Sequence, residues 1–409
     1  MNIVLEPGAA ALLDELHRAG FGAYAVGGCV RDSLLGLAPH DWDLCTAARP
    51  GQVMELFGED RCIPTGLQHG TVTVKQDGKL YEITTFRTEG RYSDGRHPDS
   101  VAFVPDLRED LARRDFTINA MAYSAEEGLC DPFGGREDLA RGVVRAVGEP
   151  LRRFGEDALR ILRLYRFAAR FGFAIDEATE AAAKQLASHL DCVSAERIEE
   201  ELNKLLAAPQ PGAYLEPEVL AFVLPELPPE ELTKARRRID ALPAGTEQVS
   251  ARWAALLLPL GETGARKALK RLKCSNARID GAAALVRECG EKTPDTLDKC
   301  DLRLQAKRLL GKYDLHTVQQ LTALWTALAP EEKASFDALR AEAEALTAQG
   351  ACCRISQLAV SGRDLMAAGA APGPGLRRVL EALLEEVITG RLPNEKTELL
   401  AFAAGFSAS

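Results

Sequence analysis

Two aspartates one residue apart, in His40-Asp41-Trp42-Asp43-Leu44, are the side chains of this sequence best suited to chemistry. In an extended chain, residues two apart point to the same side. Asp41 and Asp43 would then share a face, while Trp42 and Leu44 pack on the other. Carboxylates this close repel unless a cation sits between them, and their oxygen donors suit a hard divalent ion, magnesium above all. Just upstream lies Gly27-Gly28, where backbone can bend sharply and approach a ligand, with Arg31 beyond it to face phosphates. An Asp-x-Asp pair by itself is commonly a solvated loop. The order strand, diglycine, arginine, Asp-x-Asp is far more specific.

The elements that must hold these groups can be read from the surrounding pattern. Ala23 to Val26 is a short apolar run that reads as a buried strand stopping at the diglycine, and Val30 to Leu35 as a helical turn closed by Gly36. Ala9 to Arg18, with Leu12, Leu13 and Leu16 at helical spacing and Gly20 after it, predicts a helix packed on the sheet. Pro50 to Phe57 predicts another. Gly70 to Lys75 and Leu80 to Thr85 alternate as strands and are joined by Asp77-Gly78, a hairpin turn. The hairpin would extend the sheet and bring Glu82 near the aspartates, either as a third carboxylate or as an exposed sheet-face residue. Residues 86 to 100 are polar, glycine-rich and aperiodic, and read as a mobile loop.

Downstream, Ala112 to Tyr123 (ARRDFTINAMAY) combines an arginine pair with an apolar segment, and Asp131 to Gly135 (DPFGG) is a turn cluster that would end the catalytic domain. From Leu151 onward nearly everything reads as helix. Asp157, Arg160 and Arg163 step by three, so a single helix would carry them along one face. Spacing alone makes that row a surface ion-pair ladder of little energetic weight. Beyond about residue 205, Lys234 to Arg238 and Arg266 to Lys273 are basic helical faces, either solvated or lining an RNA path.

Bulk composition narrows the class. A chain of 409 residues holds two to four compact units, and 46% hydrophobic with 27% charged residues is ordinary for a soluble protein. A net charge of −10 argues against indiscriminate nucleic-acid binding, though not against a local basic surface. The ten cysteines lack a Cys-x-x-Cys pair and read as buried thiols in a reducing cytoplasm. Neither a signal peptide nor a membrane span is expected.

Taken with their order, GGCVRD, DWD, RRDFTINAMA, DPFGG and EDALR resemble the polymerase β-type nucleotidyltransferases. More narrowly, they resemble the class II tRNA nucleotidyltransferases (CCA-adding enzymes) and the related bacterial poly(A) polymerases. The resemblance implies an α/β head with a mixed β-sheet followed by all-α neck, body and tail regions. It places the head at 1–140, the neck at 141–207, the body at 208–310 and the tail at 311–409. It implies an enzyme that adds CCA to the 3′ end of tRNA from CTP and ATP without a nucleic-acid template, releasing pyrophosphate.

Residue by residue, the resemblance makes Asp41 and Asp43 the catalytic ligands of Mg2+, and Gly28, Arg31 and Arg114 contacts of the nucleotide. Asp157 and Arg160 would read the base. Cytosine and adenine each present an exocyclic amine donor beside a ring-nitrogen acceptor. A carboxylate and a guanidinium answer that pattern and leave unpaired groups against uracil and guanine. Arg163 and Arg166 would reach phosphates or brace that pair. The loop at 86 to 100 resembles the one such enzymes use to change from C to A, and the segment from Arg354 onward resembles a tRNA-clasping tail. With six histidines and no His-Asp pair, no phosphohydrolase domain is expected. A poly(A) polymerase, a partial A-adding or CC-adding enzyme, and a non-catalytic RNA-binding relative remain as alternatives. The sequence leaves open whether the chain is a monomer or a homodimer.

Overall fold

The protein was described from a computed structural model covering residues 3–90, 100–291 and 301–406. The chain divides into two units, Met1–Pro229 and Glu230–Ser409. The first begins with α1 (Pro7–Arg18), β1 (Ala23–Val26), α2 (Gly28–Leu34), β2 (Leu44–Thr46), α3 (Pro50–Phe57) and β3 (Cys62–Gly66). It continues with the hairpin β4 (Thr71–Gln76) and β5 (Lys79–Thr85), then β6 (Arg87–Glu89), β7 (Val101–Phe103) and α4 (Leu107–Ala112). β8 (Ala122–Ser124), β9 (Gly128–Cys130) and α5 (Gly135–Arg141) complete the α/β part.

Seven strands form one mixed sheet in the order β3-β4-β5-β2-β1-β8-β9. β2 runs antiparallel to β1 and parallel to β5, with Leu44 opposite both Ala25 and Ile83. Side chains in register across neighbouring strands point to the same face. The row Ala25, Leu44, Ile83 and Val72 therefore faces one side, where α1 packs on β1 and β2 and α3 on β4. One step back along β2, Asp43 falls in the next row, between Val26 and Glu82, and its carbonyl accepts from the Val26 N–H at 3.0 Å. That opposite face is covered near its middle by Tyr24, Val26, Cys45, Phe86, Leu111, Ala120, Ala122 and Val147. The acids lie where this cover ends. The predicted hairpin turn is present, with Asp77 and Gly78 both at positive φ (51° and 77°).

Two local expectations need correction. The stretch 86 to 100 is not loop throughout, because Arg87–Glu89 pairs antiparallel with Val101–Phe103. The centre of the predicted mobile loop, 91–99, lies outside the described residues. The helix expected to carry Asp157, Arg160 and Arg163 on one face is two helices, α6 (Pro150–Glu156) and α7 (Leu159–Phe171). Asp157 sits in the break with extended backbone (φ −144°, ψ 106°), its carboxylate accepting the Leu159 N–H at 3.1 Å. An aspartate that caps a following N–H competes with helix continuation, which is why the chain breaks there. α8 (Glu177–Gln185) and α9 (Ala195–Leu206) follow, with α9 against α7.

The second unit is helical in its described residues. Its last segment forms a separate apolar cluster around Leu358, Val360, Leu365, Leu383, Val387 and Leu399. Ser361 caps the helix Gly362–Ala367, and Gly373 precedes the helix Pro374–Ile388.

Candidate active site

The site is built on the turn from β1 into α2. Gly27 holds φ 77° and ψ −123°, a conformation closed to residues with a Cβ, and a Cβ there would stand 3.0 Å from Arg114 Nη1. Gly27 thus lets the Arg114 guanidinium lie against the turn, and Gly28 opens α2 beside it. Arg114 is oriented from below by Asp110, which is fully buried and accepts from Arg114 Nη2 at 3.3 Å. Asp110 also binds Arg113 at 2.9 Å, and Arg113 in turn binds Glu89 at 2.9 Å. Burial works to raise the Asp110 pKa, but Arg113 and Arg114 outweigh it and hold the carboxyl below its usual range. The Arg114 Nε is buried and has no hydrogen-bond partner among the described residues.

Asp43 reaches solvent, yet the surrounding chain partly desolvates its carboxyl. This desolvation, with the charges of Glu82 and Asp41, raises its pKa despite the attraction of Arg114. The charges of Asp41 and Glu82 thus act on Asp43 at the start of the central strand β2, with one guanidinium beside it. The all-oxygen donor set suits a hard divalent cation. Among the described residues, no group of three or more His, Cys, Asp or Glu encloses a metal ion by itself. Magnesium in phosphoryl-transfer sites is held by one or two carboxylates, with waters and substrate phosphates completing its shell. The residues present fit such an ion. Glu82, left undecided by the sequence, belongs to this group through the β2–β5 register, which periodicity alone does not reveal.

Arg31 is not an open phosphate clamp. It is 3% exposed, binds Asp32 at 2.7 Å, donates to the Asn119 side chain, and lies over the rings of Phe167 and Phe171 at 5.1 and 4.9 Å. Burial lowers its pKa, with Asp32 opposing. Asp32 also binds Arg170 at 3.1 Å, so α2 is tied directly to α7. Phe167 lies between three guanidinium groups, with Arg163 at 5.4 Å and Arg166 at 3.9 Å.

The other predicted nucleotide residues lie in the break (Asp157) and on α7 (Arg160, Arg163 and Arg166), each with a definite partner. Asp157 is bound by Arg197 at 2.7 and 3.3 Å, not by Arg160. Arg160 binds Glu156 at 2.8 Å and donates to the carbonyls of Arg153 (3.0 Å) and Arg113 (3.1 Å). Arg163 grips one oxygen of Asp115 through Nε and Nη2 at 2.9 and 2.6 Å. Arg166 binds Glu201. Asp115 also accepts from Asn119 Nδ2 at 3.0 Å and from the Phe116 N–H at 2.8 Å. Burial would raise its pKa, but Arg163 and these hydrogen bonds win and hold it well below the usual carboxylate range. Asp115 stands in the RRDFTINA string, but its partner Arg163 is 48 positions away, so no local pattern singles it out. Nothing in the sequence pointed to Arg197.

Models of known families match most of the chain: the poly(A) polymerase head domain over residues 23–145, the RNA- and SrmB-binding site of polymerase A over 172–228, and the tRNA nucleotidyltransferase domain 2 over 245–403. Fold and site thus define a nucleotidyltransferase of the metal-dependent, poly(A) polymerase-head class. The CCA-adding enzyme of Limosilactobacillus fermentum is 38% identical over 96% of this chain and 95% of its own, and that of Geobacillus stearothermophilus 37% over 96% and 95%. The crystal structure of the Bacillus stearothermophilus CCA-adding enzyme in complex with CTP matches with a TM-score of 0.82 at 34% identity, over 99% of this chain and 98% of that one. The chain belongs to the CCA-adding enzyme family of tRNA nucleotidyltransferases. The Thermotoga maritima enzyme complexed with tRNA, at 22% identity and a TM-score of 0.70 over 98% and 96%, shares the fold.

Proposed function

We propose that this protein completes the 3′ end of tRNA by adding C, C and A from CTP and ATP, without a template and with release of pyrophosphate. The observation that carries the proposal is Asp43 in one sheet row with Glu82, with the charge of Asp41 acting on it and the Gly27 turn and Arg114 beside it. Asp41 and Asp43 hold divalent cations, magnesium by the preference of the donor set. When bound, such ions acidify the RNA 3′-hydroxyl and neutralise the triphosphate. The backbone at Gly28 and the Arg114 guanidinium hold the triphosphate, and Arg31 bears on it from behind the turn. The 3′-hydroxyl then attacks the α-phosphorus in line, and pyrophosphate leaves on the side opposite the attack.

Asp157 and Arg160 choose the base in this reading, with Arg163 and Arg166 bracing them. For Arg160 to meet a ring nitrogen, it exchanges part of its hold on backbone carbonyls for the base. Residues 1–140 are the catalytic head, 141–207 the neck, 208–310 the body and 311–409 the tail, the last two serving tRNA. No helix among the described residues is long and apolar enough to cross a membrane. A tRNA substrate supports work in the cytoplasm.

The test is Asp41→Ala with labelled CTP or ATP and a tRNA transcript. Incorporation of both nucleotides should vanish while tRNA binding stays within about twofold, since a carboxylate adds nothing to phosphate affinity. An equal loss of tRNA affinity contradicts the assigned role.

A further inference from the structure

Every charged residue proposed to read or brace the nucleotide is held by a partner, and two of those partners come from one face of α9. Arg197 and Glu201 lie four residues apart, hence as neighbours on that helix. Arg197 binds Asp157 through Nη2 at 2.7 Å and Nη1 at 3.3 Å, and Glu201 binds Arg166 and approaches Arg163 at 3.9 Å. The Arg197 and Asp157 side chains are 21% and 15% exposed, so this pair is neither buried core nor a free surface bridge.

A carboxylate has about four lone-pair positions. On Asp157, Oδ1 accepts from the Leu159 N–H at 3.1 Å and from Arg197 Nη1, and Oδ2 accepts from Arg197 Nη2. One position on Oδ2 remains, enough for a single N–H donor. Asp157 stands in a helix break, where no helical ladder fixes its direction. The Leu159 N–H and the planar fork of Arg197 fix it instead.

We propose that Arg197 is a specificity-determining positioning residue: it clamps Asp157 so that one acceptor points to the place of the incoming exocyclic amine. This rests on the reading of Asp157 as the group that accepts from cytosine and adenine. Arg197 does not touch the base. It acts by removing the freedom of Asp157 to rotate and present an oxygen to other donors, such as the N3–H of uracil. Loss of the clamp therefore costs selectivity as well as affinity.

The test compares the parent with Arg197→Ala, Arg197→Lys and Asp157→Asn in single-nucleotide incorporation on a tRNA transcript, measuring kcat and KM for CTP, ATP and UTP, with thermal midpoints alongside. Arg197→Ala is expected to raise KM for CTP and ATP and to reduce CTP-over-UTP selectivity on the order of tenfold, the size of one misplaced hydrogen bond. Arg197→Lys, which keeps the charge and loses the fork, should recover part of the affinity and little of the selectivity. A merely structural role would lower the midpoint and the rates for all three nucleotides together, leaving their ratios unchanged, and that result overturns the proposal. So does parental selectivity in Arg197→Ala or Arg197→Lys when Asp157→Asn has lost it. If Asp157→Asn keeps parental selectivity, the reading of Asp157 itself falls and the role of Arg197 with it.

Discussion

Asp115 shows how much of this site depends on residues that never meet the nucleotide. Its buried carboxylate collects Arg163, Asn119 and the Phe116 N–H, and so joins the RRDFTINA segment to α7. Removing one partner of a buried pair strands the other charge, at a cost of about 3–5 kcal/mol. Arg163 is 34% exposed and recovers some hydration, so Asp115→Asn is expected near the lower end of that range, read as a shift in the urea midpoint. The pH sign follows from the lowered pKa. A depressed carboxyl gives its full stabilisation above its unfolded value, about 3.9, and loses it as pH falls towards its folded value. The gap between parent and Asp115→Asn should therefore be constant near neutrality and close below about pH 4. A gap unchanged down to pH 3 contradicts the pairing.

At the scale of the element, the turn from β1 to α2 depends on Gly27 having no side chain. Gly27→Ala would force a Cβ into φ 77° and to within 3.0 Å of Arg114 Nη1. Such strain costs of order 1–3 kcal/mol, and the displaced guanidinium should raise KM for CTP and ATP alike while leaving their ratio unaltered. A changed ratio with unchanged KM values would mean that this turn does not serve the triphosphate. The strand, the diglycine, the Pro50–Phe57 helix and the β4–β5 hairpin were legible because each carries its own turn or cap chemistry. The α6–α7 break was not. Glu156, Asp157, Arg160 and Arg163 fit one helical face equally well, and the capping of the Leu159 N–H by Asp157 is visible only in the fold. The β6–β7 pair was missed for a related reason, since strands of three residues carry too little alternation to separate from a loop.

At the scale of the molecule, the α/β head and helical remainder follow from the change in residue pattern near 150, and the nucleotide residues from motif resemblance. What the sequence withheld was the wiring: that Arg31 is enclosed by Phe167 and Phe171, and that Asp157 answers to Arg197 and not to Arg160. Those partners lie 136 and 40 positions apart in the numbering for the Arg31–Phe167 and Asp157–Arg197 pairs, beyond the reach of any local periodicity. Among the described residues no protein-only metal cage exists. A chelator is therefore expected to abolish incorporation while leaving the thermal midpoint within about 2 °C, a shift worth less than about 1 kcal/mol. A collapse of the fold on chelation would require a structural ion.

Product sizing tests the central claim most directly. A tRNA transcript ending at its discriminator base is incubated with CTP alone, with ATP alone and with both, and the lengths are read on a denaturing gel. The account predicts extension to C-C and a stop with CTP alone, no efficient extension with ATP alone, and a finished C-C-A end with both. A long adenylate tail from ATP alone, or no A added after C-C when both nucleotides are present, would contradict it.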